Sequence, residues 1–338
     1  MSGQTLLPLG KVSPPLSSVL VAGGAGYIGS HTAKFLRQQD ITPIVLDNLC
    51  TGNRWAVKFG PFYEGSIADA PLVERILAEH HPEGVILFAG HTSVGESTIN
   101  PRPYFRNNIA AAITFLNTLL DAGLQSVVFS SSCSIYGMQE RMPISEESSK
   151  IPLSPYAETK LFLEKVLHSY GAAYGMKYAC LRYFNAAGAD SEGELGEYHE
   201  PETHLIPLAI EAALGGAPLR VFGTDYPTPD GTAIRDYVHV TDLAQAHLAA
   251  LRHLHGGGAS LELNLGTGLG HSVREVLQAV EGVSGEPVPA SYGPRRAGDA
   301  PVLVADPRRV RETLGWEPQF SELATIVRTA WNWHRSRR

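Results

Sequence analysis

The chain has 338 residues, 43% of them hydrophobic, which is enough to bury a large core in one large or two interlocked domains. Its formal net charge is -7 and it has no dense run of Lys or Arg, which argues against nucleic acid or an anionic membrane as its main partner and indicates a small ligand. Cys50, Cys133 and Cys180 are odd in number and widely separated, which indicates reduced intracellular thiols rather than a disulfide framework.

Residues 1 to 16 mix Pro, Gly, Ser and Leu. They lack the basic start, the long apolar segment and the cleavage site of a signal peptide, so we expect a flexible extension. No later stretch reaches the roughly 18 uninterrupted apolar residues that a membrane span needs, and we expect a cytoplasmic protein. The 13 histidines show neither an H-E-x-x-H motif nor paired Cys/His spacing, so no structural metal is expected.

A glycine-rich loop follows the first predicted strand and opens a helix. Gly23, Gly26 and Gly29 have the G-x-x-G-x-x-G spacing, which lets the turn close and the backbone approach a pyrophosphate at the helix N-terminus. Asp47 ends the next predicted strand, where it can accept hydrogen bonds from an adenosine ribose and repel a 2′-phosphate. The pattern therefore predicts a dinucleotide site that prefers NAD to NADP.

Apolar runs alternate with helical periodicity through the first half of the chain. The predicted strands are Val19–Ala22, Ile41–Leu46, Val85–Ala89, Val127–Ser130 and Tyr178–Arg182, and the predicted helices lie near 29–39, 70–80, 108–122 and 156–174. This alternation is typical of α/β proteins with a doubly wound parallel sheet, the Rossmann fold.

Tyr156 and Lys160 lie four residues apart on the last of these helices, about one βα unit after Ser132. A phenol titrates near 10, and bringing the pKa of Tyr156 to about 7 needs roughly 4 kcal/mol of preferential phenolate stabilisation. Lys160 supplies a cation on the same helix face, and an oxidised nicotinamide can share that task. With Ser132 as a positioning hydroxyl, the three residues form a candidate hydride-transfer site in which Tyr156 is the base.

After Asn185 the alternation loosens into a Gly/Glu-rich stretch (188–201), a helix near 204–214 and a proline-containing loop. Long polar insertions of this kind commonly carry ligand contacts. An Asp236–Val240 strand and a 241–254 helix are regular enough to rejoin the main sheet. We predict a nucleotide-binding Rossmann domain over 17–187, with 236–255 rejoining it, and a smaller α/β substrate domain built from 188–235 and 256–338.

Short segments in a fixed order carry a family resemblance: Gly23–His31, Leu46–Cys50, Phe88–Gly90, Val94–Ser97, Ser130–Ser132, Ser154–Lys160, Leu181–Asn185, Arg235–Val240 and Pro294–Asp299. Through them, nearly the whole chain from residue 18 resembles the extended short-chain dehydrogenase/reductase family and, within it, the UDP-glucose 4-epimerases. So many ordered matches make the resemblance specific.

The resemblance implies NAD as the cofactor and UDP-glucose and UDP-galactose as substrates. Around NAD it places the three glycines with Tyr27, Ile28, Asp47, Asn48, Leu49, Cys50, Ser66, Ile67, Phe88, Ala89, Thr92, Asn107, Tyr156, Lys160 and Phe184. Around the UDP-sugar it places Ser132, Asn185, Leu205, Arg235, Arg296, Asp299 and Leu303. Ser66 replaces a common aspartate near the adenine and Thr92 a lysine near the nicotinamide ribose, but each can still hydrogen-bond through its hydroxyl.

In the implied reaction, Tyr156 as phenolate takes the proton from the sugar O4 hydroxyl while hydride leaves C4 for the nicotinamide, and Ser132 hydrogen-bonds to the same oxygen. The 4-keto hexose then turns over, and hydride returns to its other face. Arg235 and Arg296 suit the diphosphate because their guanidinium groups are permanently charged and fork-shaped. A pocket that gripped every hexose hydroxyl would block the turnover, so binding energy is expected on UDP.

Three alternatives are weighed against this interpretation. Related dehydratases and decarboxylases have an acid directly after the serine or threonine, where this chain has Cys133 and Ser134, which disfavours elimination. A non-catalytic NAD-binding regulator would be expected to lack Tyr156 or Lys160. UDP-pentose and UDP-N-acetylhexosamine substrates stay open, and Leu303 stands where the resembled epimerases have a tyrosine that narrows the pocket against an acetamido group.

Apolar stripes mark the predicted helices near 108–122 and 156–174, with Ile113, Leu116, Leu120, Phe162 and Val166 as examples. Such stripes are more often core than interface. The resemblance nevertheless implies that the two helices pair in a homodimer through a four-helix bundle.

Overall fold

The computed structural model describes residues 15–296 and 298–337. The strands are β1 (Ser18–Ala22), β2 (Thr42–Asp47), β3 (Phe62–Glu64), β4 (Val85–Leu87), β5 (Ser126–Ser132), β6 (Lys177–Tyr183), β7 (Asn185–Ala187), β8 (Leu219–Phe222), β9 (Ile234–Arg235), β10 (Tyr237–His239), β11 (Leu261–Leu265), β12 (His271–Ser272), β13 (Ala290–Gly293) and β14 (Val302–Leu303). The helices are α1 (Tyr27–Gln38), α2 (Ala70–His80), α3 (Val94–Ile99), α4 (Pro101–Tyr104), α5 (Ala112–Asp121), α6 (Pro155–Tyr174), α7 (Leu205–Ala213), α8 (Val240–His255), α9 (Val273–Ser284), α10 (Arg308–Leu314) and α11 (Leu323–Ser336). A π-helical segment (Phe105–Ala111) joins α4 to α5, and short 3₁₀ turns span Arg54–Ala56 and Cys133–Tyr136.

Seven parallel strands form the main sheet in the order β11-β6-β5-β4-β1-β2-β3. The strand order reverses at β1, which lies between β2 and β4. In open α/β sheets, ligands bind outside the carboxyl ends of the strands at this switch point. The predicted doubly wound Rossmann fold is therefore confirmed, and its site is expected where β1 and β4 end.

Strand β1 shows why the apolar runs form a buried sheet. Leu20 faces the helical layer of α2, α5 and α6, whereas Val19 and Val21 face the layer of α1, α8 and α10. Side chains alternate between the two faces of a strand, and helices cover both faces here, so the strand has no polar face. A third core, among α7, α9 and α11, supports the part of the chain after Asn185.

The predicted return of the chain to the main sheet is wrong for one strand. β10 pairs with β7 in a separate two-stranded sheet, although α8, which follows it, packs on the main sheet as expected. The place beside β6 belongs to β11, which the sequence analysis had assigned to the substrate domain. β11 takes it because Leu263 and Leu265 are fully buried against the sheet core. The division into two domains stays a prediction.

The predicted flexible extension over residues 1 to 16 is wrong for Leu16. Residues 1 to 14 lie outside the described residues, but Leu16 is already buried in the core. Ser17 donates its hydroxyl to Glu83 Oε1 at 2.7 Å. Within the described ranges, the structure has no helix of the length and apolarity needed to cross a membrane.

Candidate active site

The turn after β1 contains three glycines. The backbone leaves no room for a side chain at Gly23 or Gly29, whereas it leaves room at Gly26. Gly23 has a φ of +85°, and a Cβ there would lie 2.5 Å from the backbone nitrogen of Ala89. A Cβ on Gly29 would lie 2.2 Å from Gly23 O. Gly26, the N-cap of α1, would meet only Gly23 O, at 3.4 Å.

The space beside Gly26 fits a bound phosphate group. No side chain caps the N-terminus of α1, so its first N–H groups point outward at the switch point. A helix N-terminus of this kind favours an anion through its exposed donors and its dipole. The turn therefore fits the pyrophosphate of a dinucleotide, and Tyr27 and Ile28 supply the first N–H groups of the helix.

Asp47 is held at the end of β2 by backbone amides. Its Oδ2 accepts from Ala25 N at 2.9 Å and its Oδ1 from Leu49 N at 2.8 Å. Burial raises the pKa of this carboxyl, and the two amides act against that change. A carboxylate has about four acceptor positions, so Asp47 retains capacity for ribose hydroxyls. Its position supports the predicted role in binding NAD.

The loop after β4 is positioned by Asn108, a residue that the sequence analysis missed. Asn108 Oδ1 accepts from His91 N at 2.8 Å, and its Nδ2 donates to His91 O at 2.9 Å and to Thr159 Oγ1 at 3.2 Å. The predicted residue, Asn107, donates to Asn108 Oδ1 at 3.3 Å. Both asparagines lie in the π-helical segment, a distortion that often marks functional sites. The adjacent pair of asparagines in an otherwise apolar helix was the available signal.

Ser132, Tyr156 and Lys160 converge where β5 ends and α6 begins. Pro155 occupies the first turn of α6, and Ser154 caps the helix by accepting from Ala157 N at 3.2 Å. Lys160 Nζ lies 5.8 Å from the centroid of the Tyr156 ring and donates to Ser130 O at 2.7 Å. The structure thus brings the three predicted catalytic residues together.

Burial shifts the pKa values of Tyr156 and Lys160 so that the charged forms, phenolate and ammonium, become less favourable, although the proposed chemistry uses both. It raises the pKa of Tyr156 above its ordinary value, nearby Tyr183 acts in the same direction, and a hydrogen bond with Ser132 lowers it. Burial lowers the pKa of Lys160 to about 8, against the influence of Glu164. Lys160 is therefore still mostly a cation at pH 7, whereas Tyr156 is a neutral phenol in the protein alone.

A buried ion-pair network stabilises β5, the strand that carries Ser131 and Ser132. Arg182 on β6 donates to both carboxylate oxygens of Glu164 on α6, at 2.9 and 2.6 Å, and also pairs with Glu262 on β11. Ser131 donates to Glu164 Oε1 at 2.5 Å. The network links β5 to α6 and thereby fixes Ser132 relative to Tyr156. Sequence reasoning missed it because the partners are far apart along the chain.

The predicted UDP contacts form a partial cluster. Arg235 Nη2 lies 2.5 Å from Asp299 Oδ1, and Tyr226 donates its hydroxyl to Asp299 Oδ2 at 3.2 Å. Arg296 is exposed and stacks elsewhere, with its guanidinium carbon 4.0 Å from the Phe222 ring centroid. The side chains of Arg235 and Asp299 are therefore paired. Arg296 contacts Asp299 only through its backbone carbonyl, which accepts from Asp299 N at 3.3 Å, and its guanidinium lies on Phe222.

The remaining predicted contacts surround the same region. Leu303 on β14 pairs in register with Arg235 and packs with Cys133 and Phe184 in a small apolar cluster. Asn185 Nδ2 donates to Asp236 O at 3.1 Å, and Leu205 begins α7.

At the cofactor end, Asn48, Leu49 and Cys50 follow β2. Ser66 and Ile67 follow β3, and Phe88, Ala89 and Thr92 follow β4. Because these strands are parallel, all eight residues lie at one edge of the sheet. Contact of any of these residues with NAD or a UDP-sugar stays a prediction.

The switch-point glycine turn, Asp47 and the serine, tyrosine and lysine set define a nicotinamide-dinucleotide enzyme of the short-chain type. The model of the NAD dependent epimerase/dehydratase family matches residues 19–266, and the chain belongs to this family.

Similar proteins agree with this assignment. The chain is 48% identical to the UDP-glucose 4-epimerase of Rhizobium meliloti (strain 1021), covering 95% of this chain and 98% of the relative. It superposes on the crystal structure of UDP-glucose 4-epimerase from Brucella ovis in complex with NAD with a TM-score of 0.92 and 50% identity, covering 94% and 98% of the two chains. The UDP-Glc/GlcNAc 4-epimerase of Campylobacter jejuni matches with a TM-score of 0.83 and 38% identity over 95% and 99%.

Proposed function

We propose that the chain catalyses the NAD-dependent interconversion of UDP-glucose and UDP-galactose by inverting the sugar at C4. The observation that carries the proposal is the convergence of Ser132, Tyr156 and Lys160 at the switch-point edge of a Rossmann sheet, in a chain that is about half identical to UDP-glucose 4-epimerases over nearly its whole length. NAD, when bound, supplies a reversible hydride acceptor.

Tyr156 is the group that takes and returns the O4 proton. The Ser132 hydroxyl is near enough to lower the pKa of Tyr156, so the same serine is placed to hold the sugar oxygen between them. Lys160 favours the phenolate through its charge, and its bond to Ser130 O fixes the ammonium group below the ring. Because burial disfavours the phenolate in the protein alone, we expect the tyrosine to ionise mainly when the site is occupied by oxidised cofactor and substrate.

Elimination is disfavoured by the residues that follow Ser132. Cys133 is a partly buried thiol, and desolvation raises its pKa to about 12, so it stays protonated and is a weak acid at neutral pH. Ser134 donates its backbone N–H to Ser132 Oγ at 3.2 Å and has no carboxylate. The position that related dehydratases use for an acid therefore carries none.

UDP is proposed to bind between β9, β14 and α7, with Arg235 on the diphosphate. The ion pair with Asp299 holds the guanidinium of Arg235 in place, and Tyr226 in turn fixes Asp299 by donating a hydrogen bond to it. Arg296 comes from the same loop as Asp299 and needs only side-chain rotation to leave Phe222. A permanently charged fork on the diphosphate places the binding energy away from C4, so the hexose can turn over.

A second substrate pair, UDP-N-acetylglucosamine and UDP-N-acetylgalactosamine, is favoured by the position of Leu303. It pairs in register with Arg235 and packs against Cys133 and Phe184, so it lies between the proposed UDP contact and the catalytic serine. Leucine is smaller than tyrosine and leaves more room beside the sugar ring.

The proposal extends to assembly and location. Exposed apolar side chains on α3, the π-helical segment and α6 support a homodimer that pairs these elements. The separated cysteines support a reducing, cytoplasmic environment.

The decisive experiment is incubation of the purified protein with UDP-glucose, followed by separation of the products. We expect UDP-galactose and no net change in oxidation state. A 4-keto-6-deoxy product, a UDP-pentose turned over in preference to UDP-glucose, or no conversion at all would overturn the assignment.

A further inference from the structure

Four metal-binding side chains gather in the segment between β7 and α7. They are Glu197, His199, Glu202 and His204, and one ligand atom from each lies within 4.8 Å of all the others. The spacing E-x-H-x-x-E-x-H contains no paired cysteines and no H-E-x-x-H motif, which is why the sequence analysis expected no structural metal. Two imidazoles and two carboxylates are the donors that Zn²⁺ accepts.

Most of the separations between the histidine nitrogens and the carboxylate oxygens are close to those of neighbouring ligands on a tetrahedral ion, with each histidine nearest a different oxygen of Glu202. His199 Nδ1 lies 3.4 Å from Glu197 Oε1 and 3.5 Å from Glu202 Oε2, and His204 Nδ1 lies 3.5 Å from Glu202 Oε1. Zn–N and Zn–O bonds of about 2.0–2.1 Å place tetrahedral ligands roughly 3.3–3.4 Å apart. One edge is shorter: His204 Nδ1 lies 2.6 Å from Glu197 Oε1, although the two atoms do not have the geometry of a hydrogen bond. Opening this edge requires a movement of less than about 1 Å.

Two of the ligand atoms are buried without a hydrogen-bond partner. Glu197 is only 3% exposed, and its Oε1 and His199 Nδ1 both have no hydrogen-bond partner among the described residues. A buried carboxylate oxygen without a partner is costly. Glu202 is already oriented, because its Oε1 accepts from Thr203 N at 2.7 Å and from His204 N at 2.9 Å.

A second acidic cluster in the same segment provides a contrast. The carboxylates of Asp190, Glu192 and Glu194 surround the ammonium group of Lys34, at 2.8, 2.5 and 2.7 Å. Its positive charge is supplied by the chain itself. The cluster of Glu197, His199, Glu202 and His204 has no Lys or Arg among its ion-pair partners in the described part of the chain, so its own two histidines are the groups that can carry positive charge in the absence of an ion.

We propose that Glu197, His199, Glu202 and His204 bind one Zn²⁺ ion in a closed structural site. All four positions are filled by the protein, so the ion has no open position for substrate, which is the arrangement of structural rather than catalytic zinc.

The site would tie together elements that carry the predicted cofactor and substrate contacts. Glu197 O accepts from Trp333 Nε1 on α11 at 3.0 Å, and the carboxylates of Glu197 and Glu202 are near enough to Tyr27, the first residue of α1, to help burial raise its pKa. His204 is the N-cap of α7, directly before Leu205. The ion would therefore hold the start of α7 against the end of the glycine turn.

The test is a metal count on the full chain. Purified protein is equilibrated with Zn²⁺, separated from free ion by gel filtration and analysed by plasma mass spectrometry. We expect about one zinc per chain in the parent and less than about one tenth in H199A/H204A. Glu192→Gln, in the lysine-paired cluster, should match the parent. Less than one tenth in the parent, or equal zinc in the parent and the double variant, would overturn the proposal.

A second variant separates lost binding from lost folding. In Glu202→Gln the amide oxygen can still accept from Thr203 N and His204 N, but the charge that binds the ion is gone. Chelation should lower the Tm of the parent by roughly 5 °C or more and leave that of Glu202→Gln unchanged. Parallel shifts in both proteins would contradict the site. Neither readout depends on epimerase activity, so the two proposals can fail separately.

Discussion

Tyr156 and Lys160 occupy one buried site, and burial acts against the charge of each. The pKa of Lys160 falls to about 8, so the lysine keeps its charge at pH 7 and loses it as the pH rises through that value. The pKa of Tyr156 is raised by the same desolvation and by Tyr183. Without ligands, Tyr156 is therefore a neutral phenol next to the Lys160 cation. Its ionisation to phenolate depends on the charge that ligands bring into the site.

Replacing Tyr156 with phenylalanine removes the proposed base without changing the shape of the ring. We expect turnover of UDP-glucose to fall by at least roughly 100-fold, the lower end of general-base effects. The variant should still release nicotinamide cofactor when it is denatured, because its glycine turn is unchanged. Tyr170→Phe is the control: it lies on the same helix, and its hydroxyl only contacts Asn117 at 2.7 Å. Near-normal turnover by Tyr156→Phe would remove the tyrosine from the mechanism.

The proposed turnover of acetylated substrates depends on the size of the side chain at Leu303. We expect the parent to interconvert UDP-N-acetylglucosamine and UDP-N-acetylgalactosamine slowly but measurably, and Leu303→Tyr to lose that activity selectively, because the larger ring fills the space for the acetamido group. Leu303→Met conserves side-chain volume and should retain both activities. Rates on both substrate pairs decide the matter. Equal losses on plain and acetylated sugars, or no acetylated activity in the parent, would show that Leu303 only packs the strand.

At the scale of elements, β5, β6, β11 and α6 are joined by charge as well as by apolar packing. Arg182 is fully buried and pairs with Glu164 and Glu262, which come from the helix and the edge strand. Burying charges is unfavourable, but removing one partner of an existing buried pair is worse because the other charge is left uncompensated. Pairs on the surface contribute far less.

Arg182→Met should therefore lower the free energy of unfolding by about 3–5 kcal/mol. The matched variant Arg309→Met breaks an exposed pair with Glu147 and should cost about 0–1 kcal/mol. Urea unfolding of both variants and the parent measures the difference. If the two substitutions cost the same, the network does not stabilise the strand–helix junction as argued.

Local patterns predicted the elements well, and long-range pairing explains what they missed. The glycine turn, Asp47 and the Tyr156–Lys160 spacing each depend on a few consecutive residues, so they could be recognised in the sequence. Asn108 matters because it bonds to His91 and Thr159, and no local pattern gives those partners. Likewise β10 and β11 are both short and mix apolar with polar residues, and only their packing decides which joins β6.

At the scale of the molecule, exposed apolar side chains lie on three neighbouring elements, α3, the π-helical segment and α6. Ile99 on α3 is 88% exposed, Phe105 in the π-helical segment 45% and Phe162 on α6 46%. α6 contacts both α3 and the π-helical segment, so we expect these side chains to form a shared face. Most of the stripe residues predicted for pairing belong to the core instead. Leu116 is fully buried there, and Leu120 and Val166 pack against the core cluster. Ile113 is half-buried and Phe162 is exposed, so these two members of the stripe are available to contact a partner.

A homodimer through this face should dissociate when a charge is placed at its centre. We expect the parent to sediment as a dimer and Phe162→Glu as a monomer with unchanged circular dichroism, because burying an unpaired carboxylate at an interface is strongly unfavourable. Tyr174→Glu, at the far end of the same helix and 60% exposed, should stay dimeric. Sedimentation velocity at several concentrations distinguishes the species. A monomeric parent, or a Phe162→Glu protein with the parent's mass, would place any assembly of this chain on another surface.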